Sequence, residues 1–371
     1  MNIENIERVE LEISSDCNAA CPGCARTQNL DLIQPKNLTI EQIKTWFPDH
    51  RHIENKIFKL CGVLGDPIVN PDCMEITKWL LEHGGRVHYS TNGGRNSAEW
   101  WYELGQLSGS HDKDQLKVHF CVDGIETNHI YRVNTMYNII DRNMKAYSDG
   151  GHSTGGRAEA SWIYIIFDHN EHEVEAAKIR AEELDFRFAT RTGMRNTFHD
   201  WVAKIKKKDH EKKKVVTEEK VITTTGAKAH SKIEQVKELD QFIQTYQEEP
   251  KSVDENKIRE VVDSISCKFY HDKEIFVSAN STLWPCCFLW DSAFKNKDGI
   301  LDKYSSFPNG WNDLNQHSIE TVLNTEYYRQ TLADSFDPRH NQHISRCIRT
   351  CAKNRAYHNE ITYDKNTSVG V

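Results

Sequence analysis

Short β-rich runs alternate with stretches of helical period through the first two hundred residues. The runs are Val9 to Ile13, Ile57 to Leu60, Arg86 to Tyr89, Leu116 to Val122, Ser161 to Phe167 and Leu184 to Ala189. Between them, helices are predicted over Thr39 to Phe47, Asp72 to His83, Ser97 to Leu107, Met136 to Ser148 and Glu171 to Glu183. In the last of these, Asn170 is the expected N-cap, and Val174, Ala177, Ile179, Ala181 and Leu184 form the expected apolar face. Such alternation argues for parallel strands joined by crossover helices. Six strand-helix units fit a partial α/β barrel, in which the loops after the C-terminal strand ends carry the site.

The pattern changes later in the chain. Lys273 to Val277, a polar Ser-Ala-Asn-Ser281 turn, and Thr282 to Cys286 read as a hairpin. A helix is predicted from Ser318 to Leu332, where Ile319, Val322, Leu323 and Tyr327 fall at helical spacing. Three units are therefore expected: a core over 1–197, a linking insertion over 198–265 and a terminal unit over 266–371. From Lys204 to Lys220 the insertion holds eight lysines against one aspartate and three glutamates, which is ordinarily a solvated face. Arg187, Arg191 and Arg195 precede it, either facing a substrate cavity or forming a helical stripe. His169 and His172 read as surface or capping residues.

Composition narrows the class. At 371 residues and 38% hydrophobic content the chain can bury a sizeable core. No run approaches a membrane span, and the start lacks the regions of a signal peptide, so a cytoplasmic location is expected. Eleven cysteines in a reducing compartment point to metals, clusters and buried thiols rather than disulfides. A net charge of -8 argues against a general nucleic-acid binder, though a local basic stretch can act alone.

Cys17, Cys21 and Cys24 place three thiols within eight residues, directly after the first strand, with no fourth cysteine nearby. Four cysteines would close a cubane iron-sulfur cluster, whereas three leave one iron open to another ligand. Zinc also favours cysteine but needs a fourth ligand, and the nearest histidine, His50, is distant in sequence. This CxxxCxxC spacing resembles the signature of radical S-adenosylmethionine (radical SAM) enzymes. By that resemblance the open iron of a [4Fe-4S] cluster holds SAM, and an external reductant such as ferredoxin or flavodoxin drives its cleavage to a 5'-deoxyadenosyl radical.

Further matches lie on successive strand ends. Gly65-Asp66-Pro67 resembles the GGEP loop that meets the SAM amino group, with Asp in place of Glu. Thr91-Asn92-Gly93 resembles the TNG segment, whose amide could bond the SAM ribose. Cys121-Val-Asp123-Gly and the downstream Arg132 resemble the family's SIDG stretch and its arginine, which implies Arg132 for the SAM carboxylate. Cys121 stands where relatives often carry serine, and Gly23 where many carry an aromatic residue.

The late cysteines resemble a twitch domain, a shortened SPASM domain that binds one auxiliary [4Fe-4S] or [2Fe-2S] cluster. That resemblance implies Cys267, Cys286, Cys347 and Cys351 as ligands. A structural zinc ribbon would use the same four thiolates. Neighbours on a strand point to opposite faces, so only one of Cys286 and Cys287 should reach the cluster, and the family pattern favours Cys286. The closing pair has three intervening residues where two are common, and Ser281 replaces the usual hairpin glycine. The resemblance implies hydrogen-atom abstraction from a substrate, foremost a peptide or protein side chain. Dehydrogenation of a small polar metabolite and nucleotide or RNA modification are the other readings. An iron-sulfur or zinc sensor is the non-enzymatic one.

Overall fold

The computed structural model describes residues 2–192, 241–245, 254–296, 300, 307–355 and 362–363. Arg195, the lysine-rich stretch and most of the insertion lie outside the described residues. Six strands run parallel and pair in chain order: β1 (Arg8–Leu11), β2 (Ile57–Leu60), β3 (Arg86–Thr91), β4 (Leu116–Cys121), β5 (Glu159–Ile166) and β6 (Arg187–Thr192). The intervening helices are α1 (Ile40–Trp46), α2 (Cys73–Glu82), α3 (Ala98–Ser110), α4 (Tyr137–Ser153) and α5 (Val174–Glu183).

The unreversed strand order decides the architecture. Crossovers between parallel strands are right-handed, so steps that always advance in one direction put every helix on the same side. A doubly wound sheet would reverse its order and cover both sides. The side chains follow the barrel logic. Val9, Phe58, Val87, Val118, Trp162 and Phe188 alternate onto one face and are buried in the hydrophobic core. Glu10, Lys59, His88, Lys117 and His119 alternate onto the other.

Local signals set the helix starts. Thr39 and Gln42 form a reciprocal capping box on α1, and Ser97 caps α3 by accepting from Trp100 N. Between α3 and α4 the backbones nearly touch: a Cβ at Gly105 would lie 2.0 Å from the carbonyl oxygen of Tyr147. That approach buries Trp101, Phe120 and Tyr147 as one aromatic group, with Trp101 and Phe120 centroids 5.2 Å apart. Each fully buried ring contributes roughly 1.5–3 kcal/mol of transfer free energy.

The late hairpin joins this sheet. β7 (Glu274–Val277) pairs in parallel with β1, and β8 (Leu283–Trp284) pairs antiparallel with β7. At the other edge β9 (Thr362–Tyr363) runs antiparallel to β6. The hairpin turn puts Ser281 at φ 64°, the left-handed region that explains why glycine would suit the position. After β8 come α6 (Cys287–Phe294), α7 (Ile319–Leu323) and α8 (Ser345–Arg355).

Four expectations need correction. The sixth strand begins at Arg187, because Leu184 ends α5 and Asp185 turns the chain at φ 61°. Asn170 does not cap α5; its side chain instead donates to the carbonyls of Asp123 and Ile165, and a 3-10 turn over Glu171–Glu173 leads into the helix. Ile179 is half exposed, so the apolar face of α5 is narrower than its periodicity implied. The helix predicted from Ser318 to Leu332 is broken after Leu323 and resumes as a π turn over Tyr327–Thr331, which seats the adjacent Tyr327 and Tyr328 both in the core.

Gly105→Ala should lower unfolding free energy by about 1–3 kcal/mol, since backbone cannot yield as a flexible side chain does. Urea unfolding measures it, and an unchanged midpoint would contradict the close helix contact.

Candidate active site at the strand ends

The loop after β1 carries Cys17, Cys21 and Cys24, the last starting a short helix over Ala25–Gln28. All three contribute to one small hydrophobic cluster with Tyr131 and Phe167. Burial pushes the Cys17 thiol well above its ordinary range, and the nearby Asp66 and the other two thiols push it further. Asp16 braces the base of the loop. One carboxylate oxygen of Asp16 accepts from Cys17 N at 2.8 Å and from Arg26 Nη2 at 2.6 Å.

Gly65, Asp66 and Pro67 follow β2 and are brought directly against that loop. A Cβ at Gly65 would sit 1.9 Å from the Ser14 carbonyl oxygen, so only glycine allows the contact. Asp66 N donates to Asp16 O at 2.8 Å. The Asp66 carboxylate is already committed: it accepts from Thr91 Oγ1 at 2.8 Å, Asn92 N at 2.8 Å and Asn92 Nδ2 at 2.7 Å. Its side chain therefore clamps the second and third strand ends together, which the expected contact with a ligand amine did not include. Pro67 opens a 3-10 turn behind it.

Asn92 faces the cysteine loop as well, with Nδ2 3.7 Å from Cys17 Sγ. It exchanges hydrogen bonds with Asn18, a residue between the first two cysteines. Asp123, after β4, is fully buried and accepts Arg132 Nε at 2.6 Å and Ile165 N at 2.7 Å. It thus orients Arg132. Burial works against the Arg132 charge, and Asp123 outweighs it, holding the guanidinium well above its ordinary pKa. Arg132 Nη1 reaches 4.0 Å from Cys21 Sγ. One edge of the guanidinium is tethered, and the other faces the three-cysteine loop.

Sequence reasoning missed three supports. Asn18 lay unremarked inside the motif. Glu173 is distant in sequence, yet its carboxylate accepts the backbone N–H groups of Ile125, Glu126 and Thr127 and so shapes the loop after β4. Glu12 accepts Leu64 N at 2.7 Å and Ala279 N at 3.3 Å, linking β1 to the loop after β2 and to the hairpin turn. The alternation Val9-Glu-Leu-Glu-Ile13 was the available signal for Glu12.

The second cysteine group gathers around one cleft lined by Cys267, Cys286, Cys347 and Cys351, with Phe288 and Arg346 beside them. Cys347 and Cys351 lie four apart on α8, a spacing that turns both to one side of a helix. Burial raises the Cys286 and Cys347 thiols, and their proximity to Cys267 and Cys351 raises them further. Cys287 is placed differently: it hydrogen-bonds Glu10, within a buried group of Glu10, Lys268, Glu274 and Lys59. Burial raises the Glu10 carboxyl, and Lys268 and Lys59 outweigh it, holding it at about 2. Cys61 Sγ donates to the same Glu10 at 3.2 Å.

Both thiol groups are chemically suited to iron-sulfur clusters, since soft thiolates select them or zinc. Among the described residues, no group of three or more His, Cys, Asp or Glu side chains is drawn around one point tightly enough for a single ion. A cluster with irons at separate corners takes its thiolates farther apart than one ion does, so the donor type and shared cleft fit that group. No helix among the described residues is long and apolar enough to cross a membrane.

No family model matches the chain, and no curated protein is a significant match. Several solved structures are similar to it. The crystal structure of Streptococcus suis SuiB bound to S-adenosylmethionine has a TM-score of 0.47 at 11% identity, covering 82% of this chain and 66% of SuiB. The chain thus spans just under two thirds of the length of SuiB. Histidine-tagged anSMEcpe with bound AdoMet has a TM-score of 0.47 at 13% identity, covering 88% of this chain and 83% of that one. BtrN in complex with AdoMet and 2-DOIA has a TM-score of 0.41 at 8% identity, covering 92% of each chain.

Two outcomes test this geometry. Asp123→Ala strands the Arg132 charge and should cost about 3–5 kcal/mol in urea unfolding, whereas adding Arg132→Met should recover most of it. No recovery would mean that the pair is not the dominant partner. Burial pushes the Glu12 carboxyl up to about 7 against its backbone donors. Its folded pKa lies above the unfolded value, so its penalty is absent below pH 4.5 and grows as pH rises towards 7. Relative to wild type, Glu12→Gln should therefore gain up to about 3 kcal/mol between roughly pH 4.5 and 8. Parallel stability curves would contradict that burial.

Proposed function

We propose that the chain is a radical SAM enzyme with an auxiliary iron-sulfur cluster. The observation that carries this reading is the Asp123-tethered Arg132, whose other edge faces a half-buried loop of three cysteines lacking a fourth. Cys17, Cys21 and Cys24 would hold the first cluster, and Cys267, Cys286, Cys347 and Cys351 the second. When bound and reduced, the first cluster with SAM would supply a 5'-deoxyadenosyl radical able to take a hydrogen atom from substrate.

The protein's own residues position and enclose. Arg132 is charged throughout the accessible pH range and offers paired N–H donors, which suits the carboxylate of an amino-acid ligand. Asp123 fixes its orientation before ligand arrives, so less ordering entropy is lost on binding. Asp66 and Asn92 hold the second and third loops at the edge of the cysteine loop. Cys286, N-terminal to α6, faces the second thiol group, while Cys287 faces Glu10. This division supports Cys286 as the ligand.

A peptide or protein side chain is the leading substrate class. A small polar metabolite is the second, favoured by the charged residues that alternate onto the open face of the sheet. A ferredoxin or flavodoxin type reductant would supply the electron.

Anaerobic reconstitution should load about two cubanes per chain, and reduction with SAM should release 5'-deoxyadenosine. Cys17→Ala is expected to abolish that release. Cys351→Ala should retain uncoupled release while losing substrate turnover, as measured by deuterium transfer from labelled candidates. Equal loss in both variants would contradict the division of roles, and full loading without SAM cleavage would overturn the enzyme reading.

A further inference from the structure

The face of the sheet opposite the helices is polar to an extent the cofactor site does not use. Register aligns Lys59, His88 and Lys117 across β2, β3 and β4, and Ser90, His119 and Ser161 across β3, β4 and β5. Ser90 is exposed, so this face is open to solvent there. Most of its charges are answered. Lys59 Nζ lies 3.2 Å from Glu274, Lys117 lies 2.5 Å from Asp114 and 3.9 Å from Glu159, and His88 Nε2 is 3.1 Å from the Asp114 carbonyl.

Among the described residues four atoms on this face are not answered: Arg86 Nε and Glu159 Oε2 at the N-terminal starts of β3 and β5, and two others further along the strands. His119 Nδ1 and Arg191 Nε are buried without a hydrogen-bond partner. Leaving such atoms unpaired costs roughly 1–3 kcal/mol each, more for a charged group. Burial drives His119 down to about 3, and the groups acting on it next, His88, Lys117, Arg191 and Lys59, are all basic. Burial raises the Cys121 thiol, against the opposing pull of Arg132 and Arg191. Arg187 and Arg191 stand on a strand four residues apart, so they share its face and do not form a helical stripe.

We propose that the sheet face around His119 and Arg191 is a subsite for an anionic oxygen group of the substrate, a carboxylate or a phosphate. The subsite deepens the enzyme reading above and rests on it for the word substrate. A planar guanidinium with an unused Nε offers paired donors to such a group, and the neutral imidazole of His119 on the same sheet face adds one more donor. The surrounding basic side chains supply attraction, and the acids on this face are themselves faced by lysines: Glu159 by Lys117, Glu10 by Lys268, and Glu274 by Lys59 and Lys268. The matching chemistry is carried by an acidic side chain or terminal carboxylate of a peptide, and equally by a phosphorylated or carboxylated metabolite.

Phenylglyoxal modification of Arg191, followed by peptide mass spectrometry on the full chain, tests the subsite directly. Sodium acetate and inorganic phosphate are the probes, with sodium chloride at equal ionic strength as control and the exposed Arg51 as internal reference. Modification of Arg191 should slow by about tenfold when a probe is in roughly tenfold excess over its Kd, while Arg51 is unaffected. Protection by acetate alone assigns a carboxylate, protection by phosphate alone a phosphate, and protection by both a general oxyanion site. His119→Gln should weaken protection several-fold. No protection by either probe overturns the proposal, and undiminished protection in His119→Gln removes His119 from it. The labelling needs neither cluster nor SAM. A chain that cleaved SAM with Arg191 unprotected would lose only the subsite, and one that showed protection without cleavage would lose only the enzyme reading.

Discussion

Everything in the site depends on a constraint of connection: six parallel strands that advance in one direction, each by a right-handed crossover. That order leaves the helices no choice of side, so one sheet face is sealed by Val9, Phe58, Val118 and their neighbours while the other stays polar. It also lines up the C-terminal strand ends. Loops far apart in sequence therefore meet at one edge, and short polar side chains can join them. Asp66 ties the second loop to the third, Asp16 receives the second at the first, and Asp123 fixes the arginine of the fourth.

These ties are strong because they are buried. A carboxylate that accepts three donors, or an ion pair with one member wholly enclosed, gains little net stability over apolar packing. What it provides is placement, since losing either member strands the other. Arg132 illustrates the consequence. Its Nε is spent on Asp123, and the remaining edge is turned towards Cys21 with little rotational freedom left.

Much of this was legible in the chain. Strand and helix periods located five of the six strand-helix units to within a few residues, and the loop motifs fell where the topology puts a site. Buried scaffolding was harder to see, because a hydrogen bond leaves no periodic trace. Asp66 and Asp123 read as ligand contacts, and the sequence did not show that their carboxylates also serve neighbouring loops. Glu173 and Asn18 could not be singled out, since each is one polar residue among many until the fold brings its partners near. The pairing of β7 with β1 was equally hidden: a hairpin far downstream completes the edge of the first strand. Gly105 went unremarked in the sequence because only the neighbouring helix makes its missing Cβ matter. The alternation of Glu10 and Glu12 within and just after β1 did announce a polar inner face, which the strand's apolar positions overshadowed.

The central claim is that the three-cysteine loop leaves a ligand position which SAM fills under the control of Arg132. Electron paramagnetic resonance of the reconstituted, reduced protein, recorded with and without SAM, tests it most directly. The account predicts that SAM shifts the signal of one cluster and leaves that of the other unchanged, and that Arg132→Met greatly weakens the shift. Two signals that ignore SAM in the wild-type protein would contradict it.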